Sequence, residues 1–235
     1  MNSRVTGIVS LTCFILTMIW LILYISMTQD MGEFTTLFEL LTALASPGWM
    51  YYAQYSIVSL GTVCVVVLFS GVNHISRQYQ PTTAAVAQPF VPFYATLALL
   101  VYLSQITLVP QLLEIPDHYQ DGTYANTVLM LSLQLWPSSA LAFFNMLAYA
   151  FLAVPSLVYG GIFLRYIPTL HWGGMLLILN GIACLIGFLG HILHLEWLAA
   201  GTLLGGVFFA LATLVLGIIL LRTDKNMADN HHTIP

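Results

Sequence analysis

Uncharged, apolar runs dominate this chain, and six of them reach the roughly 20 residues that a helix needs to cross the hydrocarbon core of a bilayer. They cover residues 5–27, 51–73, 90–109, 140–164, 172–193 and 197–221. All nine acids and all five basic residues fall outside these runs, as the cost of an unpaired charge in lipid demands. The pattern predicts an all-α, polytopic membrane helical bundle with six transmembrane helices. The first run is too long for a signal-peptide core and continues into Ser26, Met27 and Thr28 rather than a small-x-small cleavage site, so it is expected to stay as an anchor.

Two connections between runs are longer than turns. Residues 28–47 place Phe34, Leu37, Phe38, Leu40, Leu41 and Leu44 among Glu33 and Glu39, which predicts a short amphipathic helix at the outer interface, stopped by Pro47 and Gly48. Residues 110–139 open with a turn-rich part holding Pro110, Pro116, Asp117, Asp121 and Gly122. An uncharged stretch from Thr123 to Trp136 follows, ended by Pro137. It is too short to cross, so a second interfacial or re-entrant helix is expected. The polar tail 223–235 is expected to be a flexible cytoplasmic segment of a single transmembrane domain.

Charge then orients the spans. Arg4, Arg77, Arg165, Arg222 and Lys225 lie before the first run and after the second, fourth and sixth, positions that share one side of an even-numbered bundle. Asp30, Glu33, Glu39, Glu114, Asp117, Asp121 and Glu196 lie on the other. Cytoplasmic loops retain Lys and Arg, so both termini are expected in the cytoplasm, with the chain multi-pass in a plasma membrane of the bacterial inner-membrane type. Trp49, Trp136 and Trp197, with Tyr51, Tyr52 and Tyr55, would form an outer aromatic belt.

Composition narrows the function classes. The 235 residues are 59% hydrophobic and 6% charged, with a mean hydropathy of +0.90, which excludes a soluble domain, a disordered chain and a disulfide scaffold. Five basic residues cannot supply a phosphate-neutralising patch, so nucleic acid is not a partner. No carboxylate or cation lies inside a run, against a proton-coupled pump or voltage sensor. Serine-hydrolase, zinc-protease and phosphate-loop motifs are absent from the sequence. Cys13, Cys64 and Cys184 lie inside runs without a CxxC and read as small hydrophobes.

The most distinctive cluster is Gly190-His191-Ile192-Leu193-His194-Leu195-Glu196. On a persisting helix His191 and His194 share a face, with Glu196 beside them, a donor set that suits zinc or another transition metal. Glu33, Glu114, Asp117, His118 and Asp121 are candidates to complete it. Water- and headgroup-bonded histidines with a solvated acidic rim are the plain alternative. Haem needs axial ligands on facing helices, which His191 and His194 on one helix do not give. The only lysine, Lys225, lies beyond the last run and cannot hold a retinal.

Uncharged polar residues recur at helical spacing: Asn180, Cys184, Gly187, His191 and His194 in the fifth run, and Asn145, Tyr149, Ser156 and Tyr159 in the fourth. Tyr94, Tyr102 and Gln105 in the third and Gln54 in the second join them. Such stripes turn inward, either as interhelical glue or as the lining of an amphipathic pocket. Asn145 and Asn180 are candidates to bond across a helix pair. Gly201xxxGly205, with Gly181, Gly187 and Gly190, permits close backbone approach, within the chain or in a dimer. Pro155 should kink its helix and free a carbonyl for Ser156 or water.

The phrases Tyr102-Leu103-Ser104-Gln105-Ile106-Thr107-Leu108-Val109-Pro110, Trp136-Pro137-Ser138-Ser139-Ala140-Leu141-Ala142 and Leu179-Asn180-Gly181-Ile182 resemble those of small six-span bacterial membrane proteins, a resemblance that brings no catalytic residues. The architecture is also similar to the substrate-binding subunits of energy-coupling-factor vitamin transporters, six-span chains whose outer loops cap a ligand, although the first run lacks their Ala-xxx-Ala docking face.

The leading expectation is a protein, leaning away from an enzyme, that binds or helps to move a small amphipathic or lipid-like molecule in an outward-facing cavity. Its candidate lining is Gln54, Tyr94, Tyr102, Gln105, Asn145, Tyr149, Ser156, Asn180 and His191. The alternatives are a metal-binding protein or metal-dependent membrane enzyme centred on His191, His194 and Glu196, and a structural subunit of a larger membrane complex. Membrane lipids are the expected partners, with a homo-oligomer or larger complex open.

Overall fold

The computed structural model describes residues 3–31, 34, 36–44, 47–114 and 123–231, with side chains left undescribed at 123–126 and 223–231. Every regular element among them is helical: α1 (Ser3–Met31), α2 (Leu37–Leu44), α3 (Trp49–Arg77), α4 (Pro81–Ala87), α5 (Phe90–Leu113), α6 (Thr123–Ser132), α7 (Ala140–Tyr166), α8 (His171–Ile192), α9 (Glu196–Ala199) and α10 (Gly201–His231), with a 3-10 turn at Pro168–Leu170 before α8. A helix satisfies every backbone polar group within its own segment, which is why apolar runs without water partners adopt it. Six segments are long and apolar enough to cross a membrane: Ser3–Met31, Trp49–Arg77, Pro81–Leu113, Ala140–Tyr166, Pro168–Ile192 and Glu196–Arg222. Each covers one of the six runs, the fifth ending at Ile192, one residue short of its run, and the chain fits an integral, multi-pass membrane protein.

The boundaries differ from the sequence pattern in instructive places. α5 passes through Pro110 to Leu113, because a proline in the last turn forfeits a single backbone bond while its fixed φ still suits the helix. α4, with Pro81 in its first turn, prefixes the third span. α6 stops at Ser132, before Trp136 and Pro137. The helical backbone of α10 continues to His231, into the segment expected as a flexible tail. α2 starts with a capping box: Thr36 Oγ1 accepts the Glu39 amide at 3.2 Å, and Glu39 Oε2 accepts the Thr36 amide at 3.1 Å. Two otherwise orphaned donors are thereby satisfied. Leu40 and Leu44 are buried while Phe38 is exposed.

The chain's contacts group into two compact units, one of residues 1–15, 63–95 and 146–235 and the other of residues 16–62 and 96–145. In the first, α8 lies against α7 where Gly160 and Gly174 face each other. A Cβ on Gly160 would stand 2.6 Å from the Gly174 carbonyl oxygen, and one on Gly174 would stand 2.8 Å from that of Gly160. The other side of α8 meets α10, where a Cβ on Gly187 would overlap Thr202 and one on Gly201 would lie 2.8 Å from the Ala183 carbonyl. Gly205 packs on Cys184 Sγ. The small-residue faces of the last two spans therefore serve close packing within the chain. α1 joins α10 through Ser10 Oγ, which donates to the Thr213 carbonyl at 2.8 Å. In the second unit the helices are held by a polar network that belongs with the candidate site.

Candidate functional site

In the second unit, Gln105 on α5 is buried and treats the chain after α6 as if it were a peptide partner. Its Nε2 donates to the Ser132 carbonyl at 2.9 Å, and its Oε1 accepts the Gln134 amide at 3.2 Å. Ser132 ends α6, so the side-chain amide satisfies groups that the helix terminus leaves open. Tyr51 donates to the Gln105 carbonyl at 3.2 Å, and Tyr55 donates to Gln134 Oε1 at 2.7 Å. Gln54 Nε2 lies 3.3 Å from Met27 Sδ. Tyr55 packs against Tyr51 and Tyr102, with ring centroids 4.9 and 6.3 Å away. Of the sequence candidates, Gln54, Tyr102 and Gln105 are thus brought into one buried cluster. They act there as glue between helices, which is the expected outcome for amides without water partners.

Beside this cluster lies an open cleft of about 140 Å³ between the end of α1, the end of α2 and the start of α3. Met27, Met31, Leu44 and Met50 give it an apolar wall, Trp49 stands at its rim, and Tyr51 connects it to the Gln105 network. Asp30, in the last turn of α1, is the one lining residue with an acidic side chain. None of the nine candidate lining residues of the sequence analysis belongs to this cleft. The signals that mark it, a Met27-x-x-Asp30-Met31 helix end and Pro47-Gly48-Trp49 ahead of α3, have no periodicity and read as ordinary loop borders. The Thr36-x-x-Glu39 spacing is the sequence signal that marks the start of α2 beside it.

In the first unit, Asn180 Nδ2 donates to Ser156 Oγ at 2.9 Å, so the bond across the α7–α8 pair is made with Ser156 rather than with Asn145. Ser156 Oγ itself donates to the Leu152 carbonyl at 2.9 Å. The carbonyl that Pro155 leaves without its donor is that of Phe151, four residues earlier, so Ser156 does not answer it. Asn145, in the second unit, is buried with its Oδ1 unpaired among the described residues. Tyr94 and Tyr149 pair their rings at 6.2 Å. Buried Tyr159 places its hydroxyl 3.3 Å from Asn73 Oδ1, 3.2 Å from Gln88 Oε1 and 3.4 Å from the Ala84 carbonyl, linking α7 to α3 and to the middle and C-cap of α4.

The histidine cluster takes a form the sequence did not anticipate. α8 ends at Ile192, and the Leu195 amide reaches back to the Gly190 carbonyl at 2.8 Å while the His194 amide bonds that of His191 at 3.3 Å. These two bonds make a Schellman cap. His194 occupies its left-handed position with φ 55°, the position usually given to glycine. The helix therefore stops between the two imidazoles instead of carrying both on one face. His191 is half-buried, whereas His194 and Glu196 are exposed. Among the described residues no three of the types His, Cys, Asp and Glu gather to hold a metal ion. Glu114 is described and exposed. Glu33, Asp117, His118 and Asp121 lie outside the described residues. Cys13 and Cys184 are buried free thiols, and Cys64 is a half-buried one.

Scans against known protein families, curated proteins and solved structures give no match.

Proposed function

We propose that this membrane protein binds, or helps to move, a small amphipathic or lipid-like molecule, and that the cleft between α1, α2 and α3 is where that molecule docks. The observation that carries the reading is the cleft itself: a thioether- and leucine-lined hollow with one carboxylate and an exposed indole at its rim. Ligand sites combine apolar walls with a few placed polar groups in this way. Gln54, Gln105, Ser156 and Asn180 are engaged with neighbouring groups instead, which favours the cleft over the bundle interior. Mass spectrometry of the purified protein should find a bound amphipathic molecule that is lost in Ala43→Phe, a substitution that fills the cleft. An extract matching bulk lipid in both proteins overturns the reading.

The same reading places the cleft on the outward side, with the five cations and both termini facing the cytoplasm of a bacterial inner membrane and α2 lying at the outer interface. Cysteines introduced at Gln78 and Glu114, in separate cysteine-free backgrounds, should react with an impermeant maleimide in intact cells only at 114. Labelling at 78 reverses the orientation and with it the outward cleft.

A further inference from the structure

We infer that the cleft selects a cationic amphiphile, an amine or quaternary ammonium carrying a short apolar chain, with Asp30 as its counter-ion. The inference rests on the proposed reading of the cleft as a binding site and adds the charge of what it binds. Asp30 sits in the last turn of α1, a 29-residue helix with no basic residue in that turn. The carbonyls at a helix C-terminus present negative potential, which attracts cations and adds to the carboxylate.

The composition of the surrounding unit has the same sign. Residues 16–62 and 96–145 contain no lysine or arginine, while Asp30, Glu33, Glu39, Glu114, Asp117 and Asp121 all fall within them. The unit therefore has no lysine or arginine to answer Asp30, and its formal charge disfavours an anionic ligand. The remaining walls suit the rest of such a ligand. Trp49, 68% exposed at the rim, offers a ring face to an ammonium group. Met27, Met31 and Met50 are flexible thioethers that adjust to an alkyl chain of variable shape. A cavity of about 150 Å³ holds a benzene-sized group, so a hollow of about 140 Å³ takes a trimethylammonium head or a short chain.

The test uses full-length protein in lipid nanodiscs, with empty nanodiscs as background. Three probes of one chain length differ in charge: hexyltrimethylammonium, 1-hexanol and hexanesulfonate. The cation should bind saturably, one per chain, while the other two stay at background. Asp30 is exposed to solvent, so Asp30→Asn should weaken the cation about fivefold, the upper end for an exposed ion pair. Glu114→Gln removes an exposed acid of the same unit outside the cleft and should leave affinity within about twofold. Equal losses in the two variants would mean attraction by general acidity and would overturn Asp30 as the counter-ion. Saturable binding of all three probes, indifferent to Asp30→Asn, overturns the charge selectivity while the amphiphile reading stands. If no probe binds above background, both fall.

Discussion

The two units of this chain solve the same problem with different chemistry. The first holds all five basic residues, and where α8 meets α7 and α10 it relies on absent side chains: Gly160 against Gly174, and Gly187 against Gly201 and Thr202. The second holds no basic residue and six of the nine acids. There a side-chain amide replaces a peptide partner, as Gln105 bonds both the Ser132 carbonyl and the Gln134 amide. Close backbone approach needs only small residues and makes van der Waals contact over many atoms. An irregular turn such as 133–139 exposes backbone groups that packing cannot satisfy, so it needs a polar side chain of the right length. The two devices fail differently, and substitutions can tell them apart.

The largest effect is expected from Gly187→Leu. Its side chain would have to displace Thr202 on the neighbouring helix, and destabilisation of about 3 kcal/mol or more should appear as lost monodisperse protein and a lowered unfolding temperature. Gly61, in the second unit, has open space around it. There Gly61→Ala should be neutral or stabilising by up to about 1 kcal/mol, since it removes only the helix penalty of glycine. Equal losses at both positions would erase the distinction between the units.

Gln105→Ala comes next. It strands the Gln134 amide and removes a donor from Ser132, for a cost of about 2 kcal/mol. Hydrogen exchange should quicken at 132–136 and leave α8 and α10 protected. A uniform rise across the chain would show that the clamp is not local. Asn180→Ala should cost about 1 kcal/mol, the worth of an interhelical bond in a membrane. Ser156 keeps its own bond to the Leu152 carbonyl, so thermal unfolding should shift only slightly.

The smallest change expected is a gain, from His194→Gly. Glycine relieves the left-handed strain at φ 55°, worth up to about 1 kcal/mol. A loss of stability would mean that the imidazole contributes more than its backbone conformation costs.

Much of this architecture was legible because transmembrane helices are written in long uniform runs. Length and apolarity alone mark the six spans, and the glycine spacing of the fifth and sixth runs forecasts their close contact. The site was less legible. Helical spacing singled out Gln105 and Asn180 correctly as inward-facing, yet spacing cannot say whether an inward amide meets a ligand, a carbonyl or another helix. Here Gln105 meets a turn nearly thirty residues away in sequence, and Asn180 meets Ser156 rather than Asn145. The cleft is built from the ends of three helices, where periodic pattern runs out. Likewise His191 and His194 fit one face only while the helix lasts, and the cap that ends it at Ile192 depends on a left-handed residue that sequence does not announce.

One helix stands apart in how little protein covers it. In the most apolar window of α1, 11% is buried, against 39–44% in the other five spans. Its outward row, Ile8, Ile15, Ile19, Ile22 and Ile25, is exposed and wholly β-branched, so these side chains have little rotamer freedom to lose against lipid tails. In a bilayer, acyl chains would therefore cover more of this helix than of the other five spans. Tension applied at the amino end should peel it away first, while the glycine-locked pair at the carboxyl end stays shut.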